Sequence, residues 1–298
     1  MVITLALTER PSRDDLYRLL DAYLDALLAR DPARIRWASG VRNTENNVAL
    51  EPGDGLWNTI TGRGSYDLRF ADTKTGQIGL FTTVRESSDE SACTIRLGVV
   101  DGAVAEVETI VVRQADSGLK FENQTFERKP MLEEIVPSES RAPRERMVAL
   151  ANGYFSTLEL NDGRIETRFH PGCNRVENGV QTTNNPAFFV PVARLGCEEQ
   201  FRLGYYRYDD RLRGRRFPLV DEERGLVLAG AFIDHAGKLG DYELTDGTRL
   251  TSPIRRPHSF YLMELFKLRD DAIEQIEANF ITVPYHMPSP WDEWAKND

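Results

Sequence analysis

The chain has 298 residues, 41% hydrophobic and 28% charged, with a formal charge of −10: enough apolar material for one large core or two ordinary domains, and too much for a disordered chain. The acidic balance excludes a general affinity for nucleic-acid backbones or anionic lipid, which demand clustered Lys and Arg, and leaves a small neutral or cationic molecule, or a ligand held inside, as the better-matched partner. No run approaches the roughly 20 apolar residues of a membrane span, Met1–Arg10 is too short and lacks the basic start of a signal peptide, and the scattered Cys93, Cys173 and Cys197 point to buried free thiols in a cytoplasmic protein rather than a disulfide framework or a zinc site.

In chain order, Leu16, Leu19, Leu20, Tyr23, Leu24, Leu27 and Leu28 fall on one helical stripe, with Ser12 as N-cap and acidic residues in the first turn. Asp31-Pro32 restarts a short second helix, since Pro suits a first helical position. Beyond the Gly-rich segment Glu51–Trp57, four runs read as strands: Ser65–Ala71, Gln77–Arg85, Ala92–Val100 and Ala103–Gln114. Ala115–Pro137 has no period. Arg141–Leu160 repeats the long helix, closed by Asn161-Asp162-Gly163. A middle rich in aromatics and Arg follows, including Phe188-Phe189, Tyr205-Tyr206-Arg207-Tyr208 and an Arg run through Arg216 that reads as a solvated or salt-bridged strand edge. Strands resume at Gly225–Asp234, His258–Leu268 and Ala272–Val283, and the aromatic tail through Trp291 is expected to dock back on the body.

The two halves repeat one another. Val41-Arg42-Asn43-Thr44-Glu45-Asn46-Asn47-Val48 returns as Cys173-Asn174-Arg175-Val176-Glu177-Asn178-Gly179-Val180, and Gly102–Glu108 returns as Asp271–Glu277. Helices followed by a meander of strands, written twice, make an α+β protein of two domains, 1–115 and 138–298, joined by a connector at 116–137. This layout, with Thr44-Glu45-Asn46-Asn47, Gly53–Trp57, Arg215–Leu226 and Phe232-Ile233-Asp234-His235, resembles tandem nuclear transport factor 2-like (SnoaL-like) proteins of bacteria and fungi. The resemblance implies two cone-shaped α+β barrels, each with N-terminal helices on a curved antiparallel sheet. It implies activities ranging from ketosteroid isomerase, scytalone dehydratase and polyketide cyclase to cofactor-free deformylating lyases for lignin dimers, alongside non-catalytic modules that bind ligands or dimerise through their sheet faces.

Period-two alternation puts His258, Phe260, Leu262 and Glu264 on one strand face, so Glu264 is a carboxylate among apolar neighbours: either a general acid or base with a raised pKa, or a partner of one of the many arginines. Asp234-His235 ends an apolar strand with one side chain facing in, as an imidazole tuned by its carboxylate or as a structural pair. All four histidines lie in the second half. The repeated Glu-Asn pair either binds ligand in each cavity or does a backbone job, Asn satisfying amides and Glu capping a helix. No nucleotide, serine-hydrolase or zinc-protease motif is present. The expectation is a cofactor-free and metal-free lyase, dehydratase or isomerase for a hydrophobic, aromatic, hydroxylated compound. Its site would use Glu264 or His235 for proton transfer, Asp234 as orienter, and Glu177, Asn178, Arg175, Tyr205, His170 and His258 as binders.

Overall fold

The computed structural model describes residues 11–113 and 126–294. The apolar start Met1–Arg10, the last residue of the strand expected to run to Gln114, residues 116–125 of the expected connector and residues 295–298 lie outside that range. Helix α1 spans Arg13–Leu28 and opens on a capping box: the Ser12 hydroxyl accepts from the Asp15 amide, and the Asp15 carboxylate accepts from the Ser12 amide. Its leucine stripe, apart from the exposed Leu28, is buried against a sheet built from β1 (Trp37–Glu45), β2 (Val48–Ala49), β3 (Ile60–Asp72), β4 (Gln77–Glu86), β5 (Asp89–Val100) and β6 (Ala103–Val112), with a single turn of helix, α2 (Leu56–Thr59), between β2 and β3. The expected restart at Asp31-Pro32 is a 3-10 turn, Pro32–Arg34.

The second unit repeats the plan. Helix α3 (Arg144–Leu160) ends on left-handed Asn161 and precedes β7 (Phe169–Glu177), β8 (Val180–Gln181), α4 (Cys197–Arg202), β9 (Arg211–Asp221) and β10 (Leu226–His235). A small inserted hairpin, β11 (Asp241–Glu243) and β12 (Arg249–Thr251), comes before β13 (His258–Arg269) and β14 (Ala272–Val283); a short helix α5 (Pro290–Trp294) follows. The sheet orders are β2-β1-β6-β5-β4-β3 and β8-β7-β14-β13-β10-β9, with the same single parallel pairing in each, β1 with β6 and β7 with β14. The protein is thus α+β, two six-stranded sheets with few helices in two tandem cone-like units. Among the described residues no helix is long and apolar enough to cross a membrane.

The sequence reading found four strands in the first unit where six form, because it left the Glu-Asn segment unassigned. That segment is a hairpin. Glu45 pairs with Val48 and Glu177 with Val180, across Asn46-Asn47 (φ 51° and 66°) and Asn178-Gly179 (φ 49° and 79°). Positive φ at both central residues is the demand of the type I′ turn, which Asn and Gly meet most readily. Each leading Asn then reaches the neighbouring strand: Asn46 Nδ2 donates to the Val111 carbonyl and Oδ1 accepts from the Val111 amide, as Asn178 does with Phe280. The backbone role of the Asn is therefore the same in both units.

The units pack with their outer sheet faces together. Phe70, Phe81 and Ile110 of the first meet Leu228, Phe232, Met263 and Ile281 of the second in one buried cluster, so the faces that might have served a second copy are covered within the chain. The seam is reciprocal. Arg13 of α1 grips Asp221 of the opposite unit at 2.5 and 2.8 Å while the Ala71 amide donates to the same carboxylate; Arg144 of α3 grips Asp72 at 2.6 Å while the Val220 amide donates to it. At the centre Glu108, 1% exposed, receives Arg96 from its own unit and Arg216 and the Tyr261 hydroxyl from the other. The Arg run is thus a strand edge salt-bridged across the seam at Arg216; Arg211 and Arg213 pair with Asp234, and Arg215 with Glu159. The tail docks as expected: the Trp291 ring lies under the Arg96 and Arg216 guanidiniums, 4.7 and 5.3 Å away.

Burial alone would raise the Glu108 carboxyl, but the Arg216 and Arg96 guanidiniums overcome it and hold its pKa at about 2. A carboxyl depressed on folding adds stability above its ordinary range and loses it as pH falls toward the folded value. The stability gap between wild type and Glu108→Gln, measured by urea unfolding, is expected to shrink by about 3 kcal/mol between about pH 6 and pH 2.

Candidate functional site

The interior of the first unit is filled. Tyr23, Trp37 and Trp57 pack edge to face with centroids 5.5 to 6.4 Å apart, leaving a void of about 10 Å³ beside Tyr23, Trp57 and Ile95, no more than one water requires. Its Glu45 caps α2, accepting from the Leu56 amide at 2.6 Å, and pairs with Arg113. Truncating Trp57 to Ala is expected to cost about 3–5 kcal/mol in denaturant unfolding, since the cavity it leaves cannot collapse around two remaining rings.

The second unit is hollow. A cavity of about 750 Å³ opens between α3 and the concave face of its sheet, walled by Leu158, Ile233, Phe260, Leu262, Phe280 and Val283 and rimmed by exposed Arg256, Pro257, Thr282 and Pro284. Register shows what changed. The Asn46 amide bonds the Thr109 carbonyl as the Asn178 amide bonds that of Ala278, so these positions are equivalent. Opposite Thr109 stands Ile95; opposite Ala278 stands Glu264. An apolar filler in one unit is a carboxyl group in the other.

Glu264 is 3% exposed. Burial, and then the charge of Glu177, push its pKa up to about 8, against the opposing pull of Arg175 and of a hydrogen bond with the Tyr154 hydroxyl. It is therefore a neutral acid at pH 7. Arg175 lies behind it, 2% exposed, with each of its three nitrogens on protein oxygens: Nε on Thr182 and Glu177, Nη1 on Tyr154, Nη2 on Gln200 and Tyr206. These contacts orient Glu177 and the tyrosines at the cavity wall.

Toward the rim a second polar group forms. His235 shares a proton with Asp209 across an Nε2 to Oδ1 distance of 2.9 Å, while its buried Nδ1 has no partner among the described residues. The ring stacks on His258 at 4.6 Å; burial first, and then the nearness of His235, lower the pKa of His258, whose Nδ1 is anchored on the Arg256 carbonyl. Six residues of β13 separate His258 from Glu264, about 20 Å along the strand, so the cavity has polar stations at both ends and an apolar middle.

The structure places Glu264, His235, His258, Glu177 and Arg175 in the lining of one cavity, Glu264, Glu177 and Arg175 at one end and the histidines at the other. Asp234 is a correction: alternation turns it to the opposite face, where Arg211, Arg213 and the Ser259 hydroxyl hold it, and Asp209 takes the orienting place beside His235. Tyr205 is likewise displaced; it packs beside Tyr206 and Tyr208, and those two reach the cavity instead. His170 stays outside the cavity lining, its Nδ1 turned to the Gly172 amide, and Asn178 is bound to backbone. Among the described residues no group of three or more His, Cys, Asp or Glu side chains could hold a metal ion.

A folded carboxyl with a raised pKa contributes stability that is complete below about pH 4.5 and is lost as pH rises through 8, because the unfolded chain ionises first. Infrared spectroscopy is expected to show a protonated carboxyl band at neutral pH that fades above about pH 8 and is missing in Glu264→Gln.

A family model described as a domain of unknown function, DUF8021, matches residues 140–280, just under half of the chain and centred on the hollow unit. No curated protein matches. Among solved structures the chain is similar to a de novo designed protein with a curved β-sheet (14% identity, TM-score 0.28, covering 34% of this chain and 87% of that one). It is also similar to a protein of unknown function with a cystatin-like fold from Methylobium petroleophilum PM1 (13% identity, TM-score 0.30, covering 36% of this chain and 82% of that one).

Proposed function

We propose that both units are nuclear transport factor 2-like, SnoaL-like cones, and that the second performs cofactor-free acid/base chemistry, as a lyase, dehydratase or isomerase, on a hydrophobic, aromatic, hydroxylated small molecule. One observation carries the reading: a buried carboxyl group, its pKa pushed up to about 8 by burial, stands in the wall of a largely apolar cavity, at a position where the filled unit has Ile95. A neutral acid in such a place can donate to a developing oxyanion or protonate a departing hydroxyl. Glu177, ion-paired with Arg175, is the neighbouring group suited to accept the proton that leaves carbon. In an elimination the C–H electrons would form the new double bond as the C–O bond breaks, the hydroxyl leaving as water with the Glu264 proton. At the cavity's other end His235, its Nε2 held by Asp209, backs the half-buried His258 ring, which faces a hydroxyl at the substrate's far end. Polar stations at both ends of an apolar slot favour a two-ring compound with oxygens at each end, such as a lignin-derived diaryl alcohol.

Purified protein incubated with diaryl and polyketide-type alcohols tests this directly. Glu264→Gln is expected to lower kcat about 100-fold with little change in KM, and His235→Ala to act mainly on KM. Wild-type kcat should fall as pH rises through about 8, where the acid ionises. Turnover indifferent to both substitutions would remove the assigned roles. Binding of such compounds without turnover would favour a non-catalytic module.

A further inference from the structure

We propose that Cys173 and Cys197 form a disulfide that fastens α4 to β7 behind the cavity. The sequence offered three scattered thiols, but the fold does not leave them scattered. Cys173 points inward from β7 and Cys197 is the first residue of α4; both are at most 2% exposed, and their sulfurs lie 3.0 Å apart. A covalent S–S bond is about 2.05 Å long, so the two sulfurs are about 1 Å from bonding distance. The other contacts of these sulfurs are weak, to the Asn174 and Cys173 carbonyls at 3.9 and 3.4 Å. Cys93, by contrast, is buried in the core of the other unit.

The bond forms by thiol–disulfide exchange, in which the thiolate is the attacking form. Before α4 docks, the Cys197 thiolate attacks a low-molecular-weight disulfide such as oxidised glutathione, releasing one small thiol and forming a mixed disulfide. Cys173 then displaces the second small thiol. Two protein protons and two electrons leave on the two small thiols, and one S–S bond joins β7 to α4. The bond would fix Gln200, whose Oε1 accepts from Arg175 and whose Nε2 donates to the carbonyls of Thr182 and Val192, and so hold the floor of the site.

The test uses wild-type protein equilibrated with oxidised and reduced glutathione, then unfolded in guanidinium with an excess of alkylating reagent and no reductant. Trypsin cuts after Arg175 and Arg194, so the two cysteines fall on different peptides. The expected result is a single alkyl group, on Cys93, and a cross-linked peptide pair two hydrogens lighter than its parts that separates on reduction, with Tm falling by roughly 5 °C when the folded protein is reduced. Three alkylated cysteines, or either thiol paired with Cys93 or with a second chain, would overturn the proposal. The mapping needs no variant, so a folding defect cannot obscure it.

Discussion

The seam between the two sheets is the constraint on which everything else in this protein depends. Each sheet has two apolar faces, one turned to its helix and one turned outward, and an outward face of this size in water would be a standing site of association. Laying the two outer faces together solves the problem within one chain, but an apolar seam alone is non-directional. Orientation comes from the reciprocal pairs Arg13 with Asp221 and Arg144 with Asp72, each carboxylate also accepting a backbone amide of the other unit. This is the self-complementary logic of a two-fold dimer interface, executed between two copies that are no longer identical. At its heart Glu108 is acceptable in a dry setting only because guanidiniums from both sides meet it.

Joining two copies allows them to diverge. The first has become a packed support, with Trp37, Trp57 and Tyr23 where a guest would sit. The second has given up that packing for an open interior and carries the titratable groups. A cavity with a buried carboxyl forgoes stability. The same seam explains why the middle of β13 is largely apolar on both faces: Tyr261, Met263 and Leu265 face the other unit while Phe260, Leu262 and Glu264 face the hollow.

Much of this was legible in the sequence. The duplication followed from the repeated Glu-Asn segments, and period-two alternation placed Glu264 with His258 before any coordinates. Other features were legible and overlooked: Asn178-Gly179 between Val176 and Val180 is a hairpin signal, and reading it would have supplied the missing strands. The choice between Asp234 and His235 needed the β10 to β13 register, which pairs His235 with His258 and Ala229 with Glu264 and so puts them on one face. Asp209 beside His235, and Cys173 beside Cys197, depend on how the long middle insertion folds back, and no local pattern encodes that. The filling of the first interior rests on three rings converging from α1, β1 and α2, a matter of volume rather than of motif.

The docking of Trp291 has a consequence for biosynthesis. The ring that caps the Arg96 and Arg216 guanidiniums follows β14 in the chain, on α5, and its indole nitrogen reaches back to Thr44 in the first sheet. Domains tend to fold in the order in which they leave the ribosome, so the first cone can form early while its clasp is still inside the exit tunnel. Until that tryptophan emerges, the Arg96 and Arg216 guanidiniums lack the aromatic ring that covers them.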